Sequence, residues 1–198
     1  MIKPGSLVSR AFCYRASRRA SMQARTITTA GISVALLAVS AWFTVPLGPV
    51  PFTLQTMVLA MLPAALDRKT ACAAVAVYLL VGAIGAPVFS GFGAGAGVLA
   101  GPTGGYLWGF LLGMLAATTI AHALSGRLSR FAASLAGDIA MLLIAYACGT
   151  LQFMKVASLD AASALMLAVV PFVVPDLVKL VVGARIGCTV ARARAARP

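Results

Sequence analysis

The sequence predicts an all-α integral membrane protein, built as a single bundle of six transmembrane helices. The first observation is composition: of 198 residues, 61% are hydrophobic and 10% are charged, whereas soluble domains are about half apolar and a quarter charged. The second is a mean hydropathy of +0.99. The third is length: a span needs about 20 apolar residues, so the chain has room for roughly five to seven spans and no second domain.

Helix-breaking and charged turns divide the apolar sequence into spans. The predicted spans are residues 26–45, 52–66, 71–86, 103–124, 131–151 and 174–192. The prolines and glycine of residues 46–51 break the first helix and force an extended, uncharged turn. Pro175 suits the first turn of the last span, because the missing N–H of a proline has no partner there in any case. Residues 159–170 are predicted as an extra helix at the outer interface; the alternative is one long kinked helix from residue 159 onward.

Basic residues collect in the segments that would share one side of a six-span zigzag. Fourteen of the sixteen lie there: Lys3, Arg10, Arg15, Arg18, Arg19, Arg25, Arg68, Lys69, Arg127, Arg130, Arg185, Arg192, Arg194 and Arg197. This positive-inside pattern predicts a bacterial inner-membrane protein with both termini in the cytoplasm. The domain organisation is then a basic segment 1–25, a membrane domain 26–192 and a basic tail 193–198. Topology accounts for the net charge of +12, and nothing in the pattern favours nucleic-acid binding.

One connecting segment, residues 87–102, is rich in glycine yet uncharged. Seven of the fifteen residues from 91 to 105 are glycine, whereas a solvated linker would carry polar side chains. Non-helical backbone at membrane depth is tolerated only where it packs on protein or lines a cavity. We therefore expect this loop to fold down over the outer end of the bundle or to line a cavity.

Charged residues inside spans are energetically costly and are candidates for function. Asp176 and Lys179 are three residues apart, so they share one face of the last helix. One interpretation is a self-neutralising pair that fixes helix packing; the other is a clamp whose carboxylate accepts N–H bonds and whose ammonium donates to a carbonyl or carboxylate. Both can hold, because a pair that satisfies itself when empty can open to a ligand. Asp138 is expected to be a helix-end or packing residue.

Other polar side chains near the outer end are candidates for the walls of a cavity. Thr53 and Gln55 follow the proline-rich turn, while Tyr78 and Tyr106 lie in the third span and at the start of the fourth. Each could instead make ordinary hydrogen bonds between helices.

The chain lacks the combinations of residues that enzymatic catalysis would need. The chain contains no Glu, no Walker loop and no paired acid and base, and His122 is its one histidine. The four cysteines are scattered without metal-ligand spacing. The stretch GFGAGAG follows no soluble strand, so it is a poor dinucleotide fingerprint. We expect no enzyme activity, no ATP hydrolysis, no metal and no cofactor.

Four motifs together resemble the BioY family, the biotin-specific S components of energy-coupling factor (ECF) transporters. They are VPFTLQT at Val50–Thr56, YLLVGAIGAPVF at Tyr78–Phe89, GPTGGYLWGF at Gly101–Phe110 and PDLVK at Pro175–Lys179. The resemblance covers about residues 27–190 in the same order, and four linked motifs make it specific.

The resemblance implies a six-helix bundle that binds biotin in a pocket open to the outside. Asp176 and Lys179 would be the polar contacts, with Asp176 suited to the ureido N–H groups and Lys179 to the ureido carbonyl or the tail carboxylate. The further biotin-binding residues that it implies are Phe52, Thr53, Gln55, Tyr78, Phe89, Gly101 and Tyr106.

The resemblance also implies partners, namely a transmembrane coupling protein (the T component) and two ATP-binding subunits. The small residues Gly31, Ala35 and Ala38 of the first span would form the docking face, although a clean run of alanines at four-residue spacing is missing. The alternative is a self-sufficient biotin carrier without dedicated ATPases. A secondary carrier usually shows paired broken helices in an inverted repeat, and the sequence shows no such repeat.

Overall fold

A computed structural model describes residues 5–46 and 48–196, with side chains described from Gln23 onward. The helices are α1 Gly5–Trp42, α2 Gln55–Ala65, α3 Arg68–Ala83, α4 Ala96–Ala100, α5 Gly104–Leu124, α6 Arg130–Ala157, α7 Ala161–Ala168 and α8 Val170–Ala195. Strands β1 Thr44–Val45 and β2 Phe52–Thr53 pair antiparallel between α1 and α2. Residues 1–4 of the predicted basic segment and residues 197–198 of the predicted tail lie outside the described residues.

The helical fold class is confirmed, and several helices have the length and hydropathy of membrane spans. Three described helical segments, Gln23–Trp42, Gly104–Leu124 and Arg130–Ala157, can each cross a membrane, and α7 with α8 makes a fourth if the bent pair counts as one span. Helices α2 and α3 have 11 and 16 residues, fewer than the 20 or so that a perpendicular span needs. The count of six spans and the orientation of the termini therefore stay predictions.

Apolar side chains cover much of the outside of the bundle. Leu80, Leu143, Leu151 and Val174 each expose 60% or more of their surface. Soluble monomers rarely present large contiguous apolar surface to water. Such a surface is compatible with lipid, which agrees with the membrane class predicted from composition.

Glycines set the two closest helix pairs, α5 with α6 and α2 with α8. Gly105, Gly109 and Gly113 stand at four-residue intervals on α5, and a Cβ at any of them would overlap the backbone of α6. Gly183 and Gly187 of α8 approach the carbonyls of Met57 and Met61 of α2 in the same way. Small residues at this spacing let helix backbones pack closely in lipid. These contacts join α5 to α6 and α2 to α8.

The last span begins earlier than the position of Pro175 predicted. Helix α7 ends at Ala168, the chain turns by 44°, and α8 starts at Val170 with Pro171 in its first turn. Pro171 has no N–H to continue α7, so the chain leaves helical geometry at Val169 and restarts beyond it. Pro175 lies inside α8. The extra helix predicted within residues 159–170 is present as α7, and the start of the last span near residue 174 was wrong.

The glycine-rich segment is anchored to the end of α1. It contains a single 3₁₀ turn, Ser90–Phe92, and the short helix α4. The Trp42 indole donates to the Pro87 carbonyl at 2.8 Å and stacks on Phe92 with ring centroids 5.2 Å apart. These two contacts hold the segment against the end of α1.

Candidate functional site

A cavity of about 300 Å³ lies between α2, α5, α6 and α8. Strand β2 and the glycine-rich segment close its remaining sides, the latter through Phe89, Ser90, Val98 and Thr103. The expectation that this uncharged loop lines a cavity is thus confirmed. The volume is at the lower end of the range for small-molecule sites, and most lining side chains are apolar.

Asp176 is buried in the wall of this cavity and is held by three donors from three helices. Its Oδ1 accepts from the Thr56 hydroxyl of α2 at 2.9 Å and from Lys179 Nζ at 2.8 Å. Its Oδ2 accepts from the Tyr146 hydroxyl of α6 at 2.7 Å. A carboxylate offers about four acceptor positions, so one position on Oδ2 remains for an additional N–H donor.

Lys179 is also buried, and protein groups engage it on three sides. Besides the bond to Asp176, Nζ donates to the Thr53 carbonyl at 2.6 Å. The ammonium lies 3.4 Å from the centroid of the Phe52 ring, a cation–π contact that strengthens when water is excluded. The ion pair is therefore satisfied within the protein, as the packing interpretation of the sequence required, and it also faces a cavity, as the ligand interpretation required.

Aromatic rings form the apolar part of the cavity. Phe52 and Phe172 stack with their centroids 6.3 Å apart, and Phe89 and Phe110 complete the ring-lined wall. The Tyr106 hydroxyl donates to the Ala168 carbonyl at 2.8 Å, at the last residue of α7. A ligand here would meet mostly flat apolar surfaces, together with one anionic side chain, Asp176, and one cationic side chain, Lys179.

Seven of the nine ligand contacts predicted from the sequence line this cavity, and two do not. The seven are Phe52, Thr53, Gln55, Phe89, Tyr106, Asp176 and Lys179. Tyr78 lies behind Gln55, whose amide donates to its hydroxyl at 2.8 Å. Gly101 lies before α5, where its carbonyl accepts from Gln152 at 2.7 Å. Tyr78 and Gly101 support the walls; they do not form them.

The predicted docking residues of α1 differ in solvent exposure: two are exposed and one is buried. Gly31 and Ala35 are exposed, and no atom lies near the Cβ position of Gly31. Ala38 is 7% exposed and packs in the main core. Ala38 is three residues beyond Ala35, which turns it toward the bundle, so the exposed small-residue surface consists of Gly31 and Ala35.

The two polar residues that bind the Asp176 carboxylate from other helices, Tyr146 and Thr56, were missed from the sequence. Thr56 closes the motif VPFTLQT and could have been found there. Tyr146 is an isolated tyrosine in an apolar span. The sequence does not show that it faces Asp176, because that depends on how α6 is rotated against α8.

Asp138, expected to be a helix-end or packing residue, does not lie at a helix end, and its burial fits the packing alternative. It lies in the third turn of α6, and neither carboxylate oxygen has a hydrogen-bond partner among the described residues. An unpaired buried polar group is costly, and the contacts around Asp138 give no account of what it does. Among the side chains described, no three His, Cys, Asp or Glu residues cluster as a metal site would require.

Comparison with known proteins agrees with the resemblance seen in the sequence. The model of the BioY family matches residues 15–196. A protein of Thermotoga maritima named biotin transporter BioY is 43% identical over 162 residues, which is 82% of this chain and 93% of that protein. A probable biotin transporter BioY of Pyrococcus horikoshii is 36% identical, covering 80% of this chain and 91% of that protein. Both names describe transporters and not enzymes.

Structural comparison gives the same fold. The crystal structure of an S component for biotin from an ECF-type ABC transporter superposes with a TM-score of 0.79, covering 88% of this chain and 93% of that one, at 22% sequence identity. The family match spans nearly all of the chain, and the relatives share over a third of their residues with it. The chain belongs to the BioY family.

Proposed function

We propose that this chain captures biotin and is the substrate-binding membrane subunit of an ECF-type transporter. The observation that carries the proposal is the buried Asp176–Lys179 pair in the wall of an otherwise apolar, ring-lined cavity. The relatives named as biotin transporters support the choice of ligand.

The chemistry of biotin matches the groups that face the cavity. Its ureido ring has two N–H donors and one carbonyl, and its bicyclic core is apolar. An N–H group can bind the acceptor position that remains on Asp176 Oδ2 without displacing Tyr146. The apolar core then packs between the rings of Phe52, Phe89 and Phe172.

Lys179 would bind the ureido carbonyl or the tail carboxylate of biotin. Either contact replaces the bond to the Thr53 carbonyl, since the other donors of Nζ face Asp176 and the Phe52 ring. Binding would therefore exchange a bond within the protein for one to the ligand. The glycine-rich segment, which already contributes Phe89 and Val98 to the wall, would close over biotin.

A membrane coupling protein and ATP-binding subunits would supply the transport step. The exposed Gly31 and Ala35 on α1 support a docking surface there, because small residues allow another helix to approach closely. The competing proposal is a biotin carrier that works alone.

The first test is biotin binding to the purified, ligand-stripped protein in detergent by isothermal titration calorimetry. Asp176→Asn and Lys179→Ala are each expected to weaken binding by at least about tenfold, since loss of one hydrogen bond to a charged group is worth roughly 1.5–3 kcal/mol. Exposed residues of the same types give matched controls: Asp160→Asn and Lys155→Ala should bind as the parent does. Absence of biotin binding by the folded parent would refute the ligand assignment.

A second test separates the two transport proposals. Uptake of labelled biotin into proteoliposomes that contain this chain alone would support the self-sufficient carrier. Uptake only when a coupling protein, its ATPases and ATP are present supports the subunit role. In that system Gly31→Leu should abolish co-purification with the coupling protein while leaving biotin affinity unchanged.

A further inference from the structure

A second, larger cleft lies away from the biotin cavity, where several helices end. Its volume is about 780 Å³, and it is lined by the end of α2, the start of α3, the last turns of α5 and the first turns of α6. It shares no lining residue with the first cavity. Nothing in the proposed capture of biotin uses it.

Three basic side chains at this cleft have no partner among the residues that the structure describes. Arg68, Lys69 and Arg130 are exposed at its rim, and in the described part of the chain none makes an ion pair or a side-chain hydrogen bond. The one carboxylate nearby, Asp67, is already engaged: its oxygens accept from the Thr70 N–H at 3.1 Å and the Thr70 hydroxyl at 2.7 Å. Asp67 keeps its negative charge when it accepts these bonds, so it offsets one of the three cations and the rim keeps a net positive charge.

Helix geometry adds to this positive potential. Helices α3 and α6 begin at Arg68 and Arg130, and the amino end of a helix carries roughly half a positive charge. The Asp67 carboxylate caps α3 and offsets the partial charge of that end, whereas the neutral Ser129 hydroxyl caps α6, so the amino end of α6 is the one that adds positive potential at the cleft. On the far side, Arg194 reaches the cleft-lining residue Ala65 and donates to its carbonyl at 3.3 Å, which brings the end of α8 to the rim.

The Ser134 hydroxyl lines the cleft and makes no hydrogen bond to the described part of the chain. The residue as a whole is 2% exposed. A helical serine usually bonds to a carbonyl one turn back, as Thr118 on the facing helix does with Met114. The Ser134 Oγ is not fully enclosed, so this hydroxyl can bond to water or to a ligand in the cleft.

We propose that this cleft binds the phosphate group of an anionic glycerophospholipid. Arg68, Lys69 and Arg130 would hold the phosphate oxygens at the rim, and Ser134 would donate to the part of the headgroup that enters the cleft. The cleft is much larger than a free phosphate ion and lies at the level where helices end, which favours a lipid headgroup over a soluble anion. Basic pockets between transmembrane helices recognise anionic headgroups by the same chemistry.

The test is native mass spectrometry of the protein in a neutral detergent at physiological salt, titrated with phosphatidylglycerol or with phosphatidylcholine. Each basic side chain near an anionic headgroup is worth roughly fivefold in affinity, so the triple variant Arg68→Gln, Lys69→Gln, Arg130→Gln should bind phosphatidylglycerol on the order of a hundredfold more weakly. Ser134→Ala should lose about fivefold. Biotin affinity, measured in parallel, should not change and reports on the fold.

A matched control removes the same charge from the same region outside the cleft. The variant Arg127→Gln, Arg185→Gln, Arg192→Gln should keep its affinity for phosphatidylglycerol within about threefold, since diffuse attraction is screened at this salt concentration. Equal losses in the two triple variants, or equal binding of both lipids by the parent, would overturn the proposal. Inorganic phosphate that competes with the lipid only at much higher concentration supports a lipid source. Inorganic phosphate that binds as tightly as the lipid would overturn the lipid assignment.

Discussion

Tyr146 donates its hydroxyl proton to Asp176 Oδ2 at 2.7 Å, on the oxygen that Lys179 does not contact. The two residues belong to different helices, α6 and α8, and Thr56 of α2 binds the same carboxylate. The orientation of Asp176 is thus fixed by the packing of three helices. Any change in that packing alters the group proposed to recognise biotin.

The substitution Tyr146→Phe removes one of these donors while keeping the ring. We expect about tenfold weaker biotin binding, because a hydrogen bond to a charged group contributes roughly 1.5–3 kcal/mol and part of this is recovered by water. Calorimetric titration measures the effect. Tyr106→Phe removes a hydroxyl from the same cavity without touching Asp176 and should lose at most about threefold; an equal loss in both variants would argue against a role through Asp176.

The Asp176–Lys179 pair also makes a prediction about stability without ligand. Lys179→Met leaves the buried carboxylate without its cation and should lower the free energy of unfolding by roughly 3 kcal/mol, since breaking a buried pair costs 3–5 kcal/mol. Adding Asp176→Asn should restore most of that loss. Thermal unfolding of the biotin-free protein measures both variants. A double variant less stable than Lys179→Met alone contradicts the prediction.

The sequence predicted this pair and missed its surroundings for a physical reason. A spacing of three residues places Asp176 and Lys179 on one helix face whatever the rest of the fold does. Tyr146 is 30 residues away from Asp176 in the chain, and its direction depends on how α6 packs. Similarly, Pro171 and Pro175 both suit a first turn, so the sequence could not choose between them. Strands of two residues are too short for an alternating pattern to predict.

Trp42 links α1 to the segment that lines the cavity. In Trp42→Ala the hydrogen bond to Pro87 and the stacking on Phe92 are lost, so the segment should open more often. We expect biotin to dissociate about tenfold faster, since the two contacts together contribute on the order of 1.5–2 kcal/mol. Stopped-flow displacement of labelled biotin measures this rate. Trp108→Ala, an exposed tryptophan of α5 that does not line the cavity, should change it less than twofold.

Replacing glycine by alanine should have opposite effects on stability at Gly183, which packs against α2, and at Gly31, which is exposed on α1. Gly183→Ala places a Cβ against the Met57 carbonyl, and overpacking of this kind costs about 1–3 kcal/mol. Gly31→Ala meets no atom within 4 Å and should stabilise α1 slightly, because alanine favours helix by up to about 1 kcal/mol. Melting temperatures of the purified variants should move in opposite directions; a loss at Gly31 would contradict its exposure.

Asp160 predicts a pH dependence at the start of α7. Hydrogen bonds from Ser163 and Ala162 hold the pKa of this carboxylate below its usual 3.8. Because the folded pKa is depressed, the cap stabilises α7 fully above that usual value and is lost as pH falls through the lowered pKa. Hydrogen exchange of residues 161–163 at neutral pH should rise in Asp160→Ala. It should stay near the parent level in Asp160→Asn, which retains a capping oxygen.

Helix α1 is longer than a membrane is thick. Its 38 residues span about 57 Å at 1.5 Å per residue, against a hydrocarbon layer of about 30 Å. Residues 23–42 are long and apolar enough to cross a membrane, and a further 18 residues precede them without a break in the helix. The loop held by Trp42 is therefore attached to one end of α1, and residues 5–22 form the other end of the same helix. A partner that binds residues 5–22 would therefore be connected, through one continuous helix and the contacts of Trp42, to the segment that lines the cavity.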